Sequence, residues 1–553
     1  MVATAAPASP MTTFFNNLHQ PGIAANGSTP PDSTGAVGPN NYVEMANSII
    51  QVWGRDLTTN VASASFSTFA NFTDPWCDPQ VQWDQGANRW LAMFTLCNTT
   101  SQVEGFFLFW SKTSDPSDLV NGWCKIGFST NPTLVDFPKL GHNSTYIDFG
   151  ANVYDETTPS SNPPFLGALI AFFALPANGV TTCPTSGTIF TSPVLKNGDG
   201  TPAFTPVPVN TMTNSGLDYV VSSYDVSGGG SANKLAVWHL DSSGVITQDP
   251  DVTVPFPFSR PSPAPELGST NLISTSDGRL TQAIGDPVNG IWTQHTVAGG
   301  AGSMVAWYEL TQSGGGLVLT QSGNISSGTD FIFNGAVSPS YNSQGAAVEY
   351  SRSSSTIDPL IAAQVRVSST PAGQMEPGEL VIASSPAADV ETVSCNKPTA
   401  GTPCRWGDYS ALTYDPMQPA VVWGTNEINN AATAAVAWQD ENFALWAAAP
   451  PRAPSVNAVT AGDGFACVTF TPSALSDGGV PDLSYTIRAY AGATLIHSVV
   501  ITAPTTLGCI GGLTDGTAYT LTVTGANVTG TGAESSHSGP VTPLRGASAS
   551  SST

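Results

Sequence analysis

The sequence predicts an all-β protein, and two observations carry that prediction. Glycine (54), proline (44) and abundant serine and threonine disfavour helices. No window shows a long apolar period of 3.6 residues, whereas strand-like alternation of apolar and polar residues is frequent. The charged fraction of 10% is well below the roughly 25% typical of globular proteins.

The charge balance excludes some partners. With 40 acidic and 16 basic residues the net charge is -24, and such a field repels nucleic acid and anionic lipid. The acidic residues are spread along the chain and form no tail, which indicates solubility. The longest apolar run, Phe165 to Leu175, is about 11 residues and too short to span a bilayer. We therefore expect a monomer without membrane insertion.

The eight cysteines favour disulfide bonds. None lies in a C-x-x-C pair, so zinc-site spacing is absent. An even count in a Thr/Asn-rich chain indicates an oxidising compartment, and the start "MVATAAPASP" is typical of a mature N-terminus. We expect a secreted, extracellular or cell-surface protein; the alternative is a cytosolic protein with buried thiols. The pairs expected in the N-terminal part are Cys77–Cys97, Cys124–Cys183 and Cys395–Cys404.

Composition divides the chain into five segments. Residues 1–30 have no period and predict a flexible leader, and residues 546–553 predict a disordered tail. The proline-marked stretch 447–453 predicts a linker. It separates a large body, 31–446, from a C-terminal module, 454–545.

The C-terminal module reads as a β-sandwich of short alternating strands. It resembles fibronectin type III domains over about 452–545. The matching residues are Leu513, Gly516, Thr517, Tyr519, Val523, Asn527 and Gly530. The resemblance implies that Tyr519 is the corner tyrosine and that Phe470 replaces the usual core Trp. It also implies that Cys467 and Cys509 lie on neighbouring strands of one sheet, where they pair.

The body repeats one pattern: an apolar strand, a tight polar turn, then an aromatic-led strand. Examples are "GAVGPNNYVEMANSIIQVW" and "QAIGDPVNGIWTQHTV". Intervals of about 50 to 75 residues suit four-stranded blades with variable loops, and the count predicts a β-propeller of about seven blades. The equivalent positions are Tyr42, Trp90, Tyr146, Tyr219, Trp292, Val348 and Trp423.

The same pattern resembles a group of secreted bacterial propeller proteins without an assigned reaction. The matching phrases include "PPDSTGAVGPNNYVEMANS", "DPQVQWDQGANRWL", "DFPKLG" and "RWGDYSALTYDP". The resemblance covers most of residues 30–430. It implies a propeller in an extracellular setting and supplies no catalytic residues.

Most repeats place a polar residue just ahead of the expected innermost strand. In propellers this position faces the central funnel. These residues are Asp32, Asp78, Asp136, Arg279, Asn334 and Asp408. Three interpretations stay open. The aspartates accept backbone N–H bonds and lock neighbouring blades. Alternatively, Asp32, Asp136 and Asp408 bind Ca²⁺. Thirdly, Asp136 and Asp408 are a catalytic carboxylate pair.

The stretch "CRWGDYSALTYDP" adds Arg405, Trp406 and Tyr409 to the candidate ligand-binding residues. Arg405 is either a structural ion-pair partner or a fork for a substrate carboxylate. The two aromatic residues are either blade core or sugar-stacking platforms.

Other enzyme classes lack their motifs. The six histidines are scattered, and neither a G-x-S-x-G elbow nor a P-loop occurs. "STSDGRLTQ" departs from the sialidase Asp-box in spacing. The first functional hypothesis is therefore extracellular binding of a polysaccharide or cell-surface glycan at the funnel mouth. The alternatives are a glycoside hydrolase or polysaccharide lyase, and a structural surface or adhesion protein.

Overall fold

The computed structural model describes residues 11–73, 76–96, 104–157, 163–391, 395, 403–431, 437–473 and 477–546. Strands make up 56% of the chain and helix 1%, which confirms the all-β prediction. The described residues include one short helix, Phe66–Ala70. The Ser65 side chain caps its N-terminus by accepting a hydrogen bond from the Thr68 N–H.

Residues 14–446 form seven successive antiparallel sheets, numbered here in chain order. Sheet 1 comprises Thr34–Val37, Asn41–Ala46, Ile49–Gly54 and Asn60–Ser65; sheet 2 comprises Trp76–Asp84, Arg89–Leu96, Gly105–Ser111 and Trp123–Ser129; sheet 3 comprises Thr133–His142, Tyr146–Asp155, Phe165–Ala174 and Phe190–Thr191. Sheet 4 comprises Val207–Pro208, Leu217–Ser223, Ala232–Asp241 and Ile246–Phe258; sheet 5 comprises Leu280–Asp286, Gly290–Val297, Met304–Ser313 and Gly316–Ile325, with the short parallel strand Asn210–Thr211 beside Leu280–Asp286. Sheet 6 comprises Phe331–Pro339, Gly345–Ser354, Ile357–Val367 and Leu380–Ser384; sheet 7 comprises Ala411–Tyr414, Val421–Asn429, Trp438–Trp446 and Phe14–Ala24. A small separate sheet pairs Ala264–Pro265 with Leu272–Ile273.

The seven sheets are arranged in a ring. The first strand of each sheet, as numbered above, contacts the first strand of the next, and that of sheet 7 contacts that of sheet 1. A buried apolar cluster also joins each neighbouring pair of sheets, including sheets 7 and 1 through Tyr42 and Trp423. Apolar packing between sheets thus runs around the whole ring.

The repeat noted in the sequence corresponds to one structural position. All seven equivalent residues lie on the second strand of their sheets, one in each. These strands are buried on both faces, as Arg89–Leu96 shows along its whole length. The outer strand Asn60–Ser65 instead alternates between exposed and half-buried residues, as expected for an edge facing solvent.

The expected flexible leader is wrong for Phe14–Ala24, which forms the outer strand of sheet 7. His19 pairs with Phe443 and Gln20 with Asn442 in antiparallel register. The physical reason is that Trp438–Trp446 otherwise has an unpaired edge, and the N-terminal segment supplies its hydrogen bonds. Residues 1–10 and 547–553, at the expected leader and tail, lie outside the described ranges.

The C-terminal region is a two-sheet β-sandwich. One sheet holds Ser455–Ala461, Phe465–Thr471 and Leu507–Gly511, and the other holds Ser484–Ala491, Thr494–Thr502, Thr520–Asn527 and Gly530–Glu534. Their facing residues share one core, in which Phe470 packs edge-on against Tyr485 at 4.7 Å. The Tyr519 hydroxyl accepts from the Thr514 N–H at 3.0 Å, which fixes the corner before the third strand of the larger sheet.

The residues between ring and sandwich are packed rather than free. Ala447, Ala448 and Ala449 are buried, and the Ala449 N–H donates to the Asp477 carbonyl. Arg452 forms an ion pair with Glu376 of the ring, so both charge and backbone bonds join the two parts.

Three of the expected disulfide bonds are present: Cys124–Cys183, Cys395–Cys404 and Cys467–Cys509. Cys467 and Cys509 stand opposite each other on paired strands, as the resemblance implied. The fourth expected pair, Cys77–Cys97, includes Cys97, which lies outside the described residues. Within the described ranges, no helix has the length and apolar character needed to cross a membrane.

Candidate functional site

The backbone turns sharply at the start of most innermost strands. Asp78, Phe137 and Asn334 have φ angles of 54°, 52° and 44° and lie at bulges in the first strands of sheets 2, 3 and 6. Asp32 (φ 51°) and Thr205 (φ 52°) precede the first strands of sheets 1 and 4. Left-handed backbone is uncommon outside glycine, so its repetition marks an imposed geometry. Because every sheet begins with its inner strand, these turns gather at one end of the ring.

Hydrogen bonds accepted by two of the predicted aspartates, together with the Asn47 side chain, join four sheets. Asp32 Oδ1 accepts from the Asp408 N–H at 2.9 Å, and Asp32 Oδ2 accepts from Asn47 Nδ2 at 2.7 Å. Asn47 Oδ1 accepts from the Asp78 N–H, and Asp78 Oδ2 accepts from the Phe137 N–H at 3.0 Å. These bonds link sheets 7, 1, 2 and 3 in sequence, which is the geometry that the locking interpretation requires.

Both of these carboxyl groups are buried. Burial, followed by the nearby charge of Asp408, raises the pKa of Asp32 to about 7. Burial and then the charge of Asp32 raise the pKa of Asp78 well above its ordinary value. Each group therefore holds a proton more readily than a surface aspartate does.

Lys139 lies beside these aspartates and was missed in the sequence. Its buried amino group lies 3.0 Å from the Tyr409 ring centroid and 4.4 Å from that of Phe137. Burial lowers the pKa of Lys139 well below its ordinary value, against the opposing charges of Asp78 and Asp32. The phrase "DFPKLG" carried the signal, because a lysine inside an apolar inner strand is unusual.

A cavity of about 290 Å³ opens above this layer. It is lined by Asp136, Phe137, Arg260, Ser274, Ser276, Asp277, Arg279, Arg405 and Asp408. The structure therefore brings together four of the predicted site residues: Asp136, Arg279, Arg405 and Asp408. The others in the lining were not predicted, although Asp277 stands in the "STSDGRLTQ" stretch.

Two ion pairs shape the cavity. Arg279 Nε donates to Asp277 Oδ1 at 2.8 Å, and its guanidinium lies 4.3 Å from the Phe137 ring centroid and 4.7 Å from that of Phe204. Arg405 Nη2 donates to Asp408 Oδ2 at 2.6 Å, with 41% of the arginine side chain exposed. Arg279 is thus held rigidly by its ring partners, and Arg405 remains accessible to a ligand.

The Arg405 turn is fixed by backbone bonds and a disulfide. The Cys404 N–H donates to the Leu272 carbonyl at 2.7 Å, and the Ser274 N–H donates to the Cys404 carbonyl at 2.9 Å. The Cys395–Cys404 bond anchors the same turn. These contacts hold the Arg405 segment against the segment that carries Arg279.

Asp136 combines burial with nearby positive charge. Burial raises the pKa of Asp136, while the Arg279 guanidinium opposes that shift. Asp408 lines the same cavity. A half-buried carboxyl with a raised pKa and a second carboxyl lining the same cavity are the groups that acid–base chemistry requires.

Trp406 and Asn334 lie away from this lining. The Trp406 ring packs against Phe333, with centroids 6.2 Å apart, and its indole N–H donates to Ser351 Oγ at 3.3 Å. Asn334 Nδ2 donates to Asn426 Oδ1 at 3.1 Å. Both side chains are buried at the contact of sheets 6 and 7.

The predicted calcium set does not form a compact ligand group. Among the described residues, the one set of three potential ligand atoms lying within 4.8 Å of one another is Asp389, Cys395 and Cys404. Two of these are bonded to each other as a disulfide, so they have no free thiolate to offer. Asp408 also already pairs with Arg405.

The axis of the ring is filled by side chains. The remaining space there is about 30 Å³, lined by residues of the inner strands. Gln82 Nε2 donates to the Leu140 carbonyl at 2.5 Å, between sheets 2 and 3, and Gln282 Nε2 donates to the Leu412 carbonyl at 2.6 Å, between sheets 5 and 7. Such a space holds little more than water, so a larger ligand is confined to the mouth.

Comparison with known proteins gives only distant structural likenesses. No protein-family model and no curated protein matches the chain. A protein of unknown function from Dyadobacter fermentans is 12% identical, covering 67% of this chain and 94% of its own, with a TM-score of 0.37. The catalytic domain of a GH62 α-L-arabinofuranosidase from Coprinopsis cinerea is 10% identical, covering 53% and 92%, with a TM-score of 0.28. An exo-β-1,3-galactanase from Phanerochaete chrysosporium, solved with galactose, is 10% identical, covering 90% and 93%, with a TM-score of 0.28. Likenesses at this level carry no assignment of activity.

Proposed function

We propose that the chain is a secreted seven-bladed β-propeller with a C-terminal fibronectin type III domain, and that it binds a carboxylate-bearing glycan at the funnel mouth. The ring of inner-strand contacts supports the propeller. The 3-plus-4 sandwich with Tyr519 at its corner supports the fibronectin module. Three disulfide bonds support an oxidising, extracellular setting.

One observation carries the binding proposal. The chain has ten arginines and a net charge of -24, yet three of those arginines, Arg260, Arg279 and Arg405, line one cavity. An arginine fork recognises a carboxylate with two parallel hydrogen bonds. Arg405 is the group best placed for this, because its side chain is partly exposed at the cavity.

The cavity dimensions favour a short ligand segment. Its volume of about 290 Å³ lies just below the roughly 300 to 1,000 Å³ typical of ligand pockets. The filled axis beneath prevents deeper entry. A terminal acidic sugar that places its carboxylate on Arg405 suits this space.

A glycan array tests the proposal. Uronic-acid polymers are compared with the same polymers after reduction of their carboxyl groups to alcohols, on the wild type, on Arg405→Gln and on the control Arg488→Gln in the sandwich. We expect retention of the acidic polymers alone and at least a tenfold loss in Arg405→Gln. Equal retention of the reduced polymers, or unchanged binding by Arg405→Gln, overturns the proposal.

A second candidate is a glycoside hydrolase or polysaccharide lyase that uses Asp136 and Asp408. The raised pKa of Asp136, which lines one cavity together with Asp408, favours it. Released sugar that disappears in Asp136→Asn/Asp408→Asn supports this enzyme. Silence on every glycan together with a lowered melting temperature in that variant instead supports a structural surface or adhesion protein.

A further inference from the structure

A second cavity, of about 370 Å³, lies at sheet 2 and shares no lining residue with the first. It is formed by the strands Gly105–Ser111 and Trp123–Ser129 together with Phe72 and Trp76. Its described lining residues are mainly apolar and include the carboxyl group of Glu104. The proposed function uses none of these residues.

Three aromatic rings form a corner of this cavity. The Phe72 and Trp76 rings meet edge-on with centroids 5.6 Å apart, and Trp76 and Phe107 do so at 5.2 Å. Phe72 and Phe107 are tilted at 6.0 Å, so the three rings point in three different directions. All three rings line the cavity, so one bound group meets aromatic carbon on more than one side.

Backbone and packing hold these rings in place. Trp76 Nε1 donates to the Phe72 carbonyl at 3.2 Å, which ties the segment before sheet 2 to its first strand. Gly127 stands opposite Phe107 on the neighbouring strand, and a Cβ at 127 would lie 2.8 Å from the ring. Phe72 is 43% exposed, a high value for a phenylalanine, so one wall of the corner is open to solvent.

Glu104 is a buried carboxyl group with which no cation among the described residues pairs. Burial, and then the adjacent Glu156 carboxyl, raise the pKa of Glu104 to about 8. A buried carboxylate without a cation is costly, and a bound cation would remove that cost.

We propose that this cavity binds an alkylated ammonium cation of the choline headgroup type, with the methyl groups against Phe72, Trp76 and Phe107 and the charge near Glu104. Ring faces attract such cations, and desolvated sites bind them more strongly than exposed ones. An ordinary ammonium suits the site less well, because it needs hydrogen-bond acceptors for three N–H groups and the ring faces provide none.

Calorimetric titration at pH 8.5 with choline and with its uncharged isostere 3,3-dimethyl-1-butanol tests the proposal. We expect choline to bind at least tenfold more tightly than the alcohol. Glu104→Gln should lose that preference, and Phe72→Ala should weaken choline at least threefold. Phe256→Ala, which removes an exposed phenylalanine of sheet 4, is the control and should bind as the wild type does.

Two further readouts separate this site from a plain apolar pocket. At pH 7 choline binding should release a proton from the Glu104 and Glu156 pair, seen as a binding enthalpy that differs between phosphate and Tris buffers. A comparison of binding to phosphatidylcholine vesicles with binding to free choline distinguishes a lipid headgroup from a soluble ligand. Equal affinity for the alcohol, no choline binding, or an unchanged preference in Glu104→Gln overturns the proposal. None of these outcomes depends on the glycan cavity.

Discussion

The buried carboxyl pair Asp148 and Asp218 should make the protein less stable as the pH rises from 5 to 8. Both side chains are fully buried at the contact of sheets 3 and 4, where the two carboxyl groups lie next to each other. Burial raises the pKa of Asp148 to about 7. Burial and the charge of Asp148 raise the pKa of Asp218 well above its ordinary value.

The direction in which stability changes with pH follows from proton linkage. In the unfolded chain both groups ionise near pH 4, whereas in the folded chain the pair keeps at least one proton at pH 6. The raised pKa values contribute their full stability below pH 4. This contribution is lost as the pH rises through the pKa values that the two groups have in the folded chain. Each extra bound proton is worth about 1.4 kcal/mol per pH unit, so one proton held from pH 5 to 7 amounts to about 3 kcal/mol.

Other buried carboxyl groups should also make the protein less stable as the pH rises. Burial is the first cause in each case, and the pKa rises to about 8 in Glu349 and to about 7 in Glu266 and Asp389. The pH dependence of the whole chain should therefore be steeper than one pair alone produces.

Urea unfolding at pH 5, 6, 7 and 8 measures the effect. The wild type should lose stability at each step, and Asp148→Asn should flatten the slope by about one proton. At pH 8 the variant should be more stable than the wild type, because it needs no bound proton at position 148. Asp225→Asn, an exposed aspartate, is the control and should keep the wild-type slope. Stability that rises from pH 5 to 7, or an unchanged slope in Asp148→Asn, refutes the reasoning.

Three further changes test the architecture. Asn47→Ala removes bonds to Asp32, to the Pro30 carbonyl and from the Asp78 N–H, so unfolding in urea should show a loss of about 2 to 4 kcal/mol; the exposed Asn60→Ala should lose little. Tyr519→Phe leaves the Thr514 N–H without its partner and should lower the free energy of unfolding of the sandwich by about 1 to 3 kcal/mol, whereas an unchanged transition would contradict a corner role. Deletion of residues 1–24 removes the outer strand of sheet 7 and should broaden the calorimetric unfolding transition of the ring, while deletion of residues 1–10 serves as the comparison.

The local sequence pattern was sufficient to predict the second strands of the sheets, but it did not predict the strand that completes sheet 7. The aromatic-led second strands could be predicted because burial on both faces demands apolar residues at every position, as Trp90 and Trp423 illustrate. The strand Phe14–Ala24 was missed because its partner, Trp438–Trp446, lies more than 400 residues away. Its own sequence, FFNNLHQPGIA, lacks a clear alternation.

The candidate site was predicted where residues repeat and missed where they do not. Asp136 and Asp408 stand at similar offsets before the inner strands of their sheets, and both line the cavity. Arg260 reaches the same cavity from the segment after sheet 4, outside any repeat. Trp406 adjoins Arg405 in sequence, yet its ring points into the contact with Phe333 because neighbouring residues of an extended segment face opposite sides.

The scarcity of lysine and arginine explains both the acid-linked stability and the cavity. With 16 cations against 40 acids, most buried carboxyl groups must be stabilised by a proton, an amide or a backbone N–H. Glu349, for example, accepts from Ser410 and Asn426 and has no cation among its hydrogen-bond partners. A cluster of three arginines in such a chain takes a large share of the available positive charge. Two of them already pair with Asp277 and Asp408, so a ligand carboxylate must compete with these aspartates.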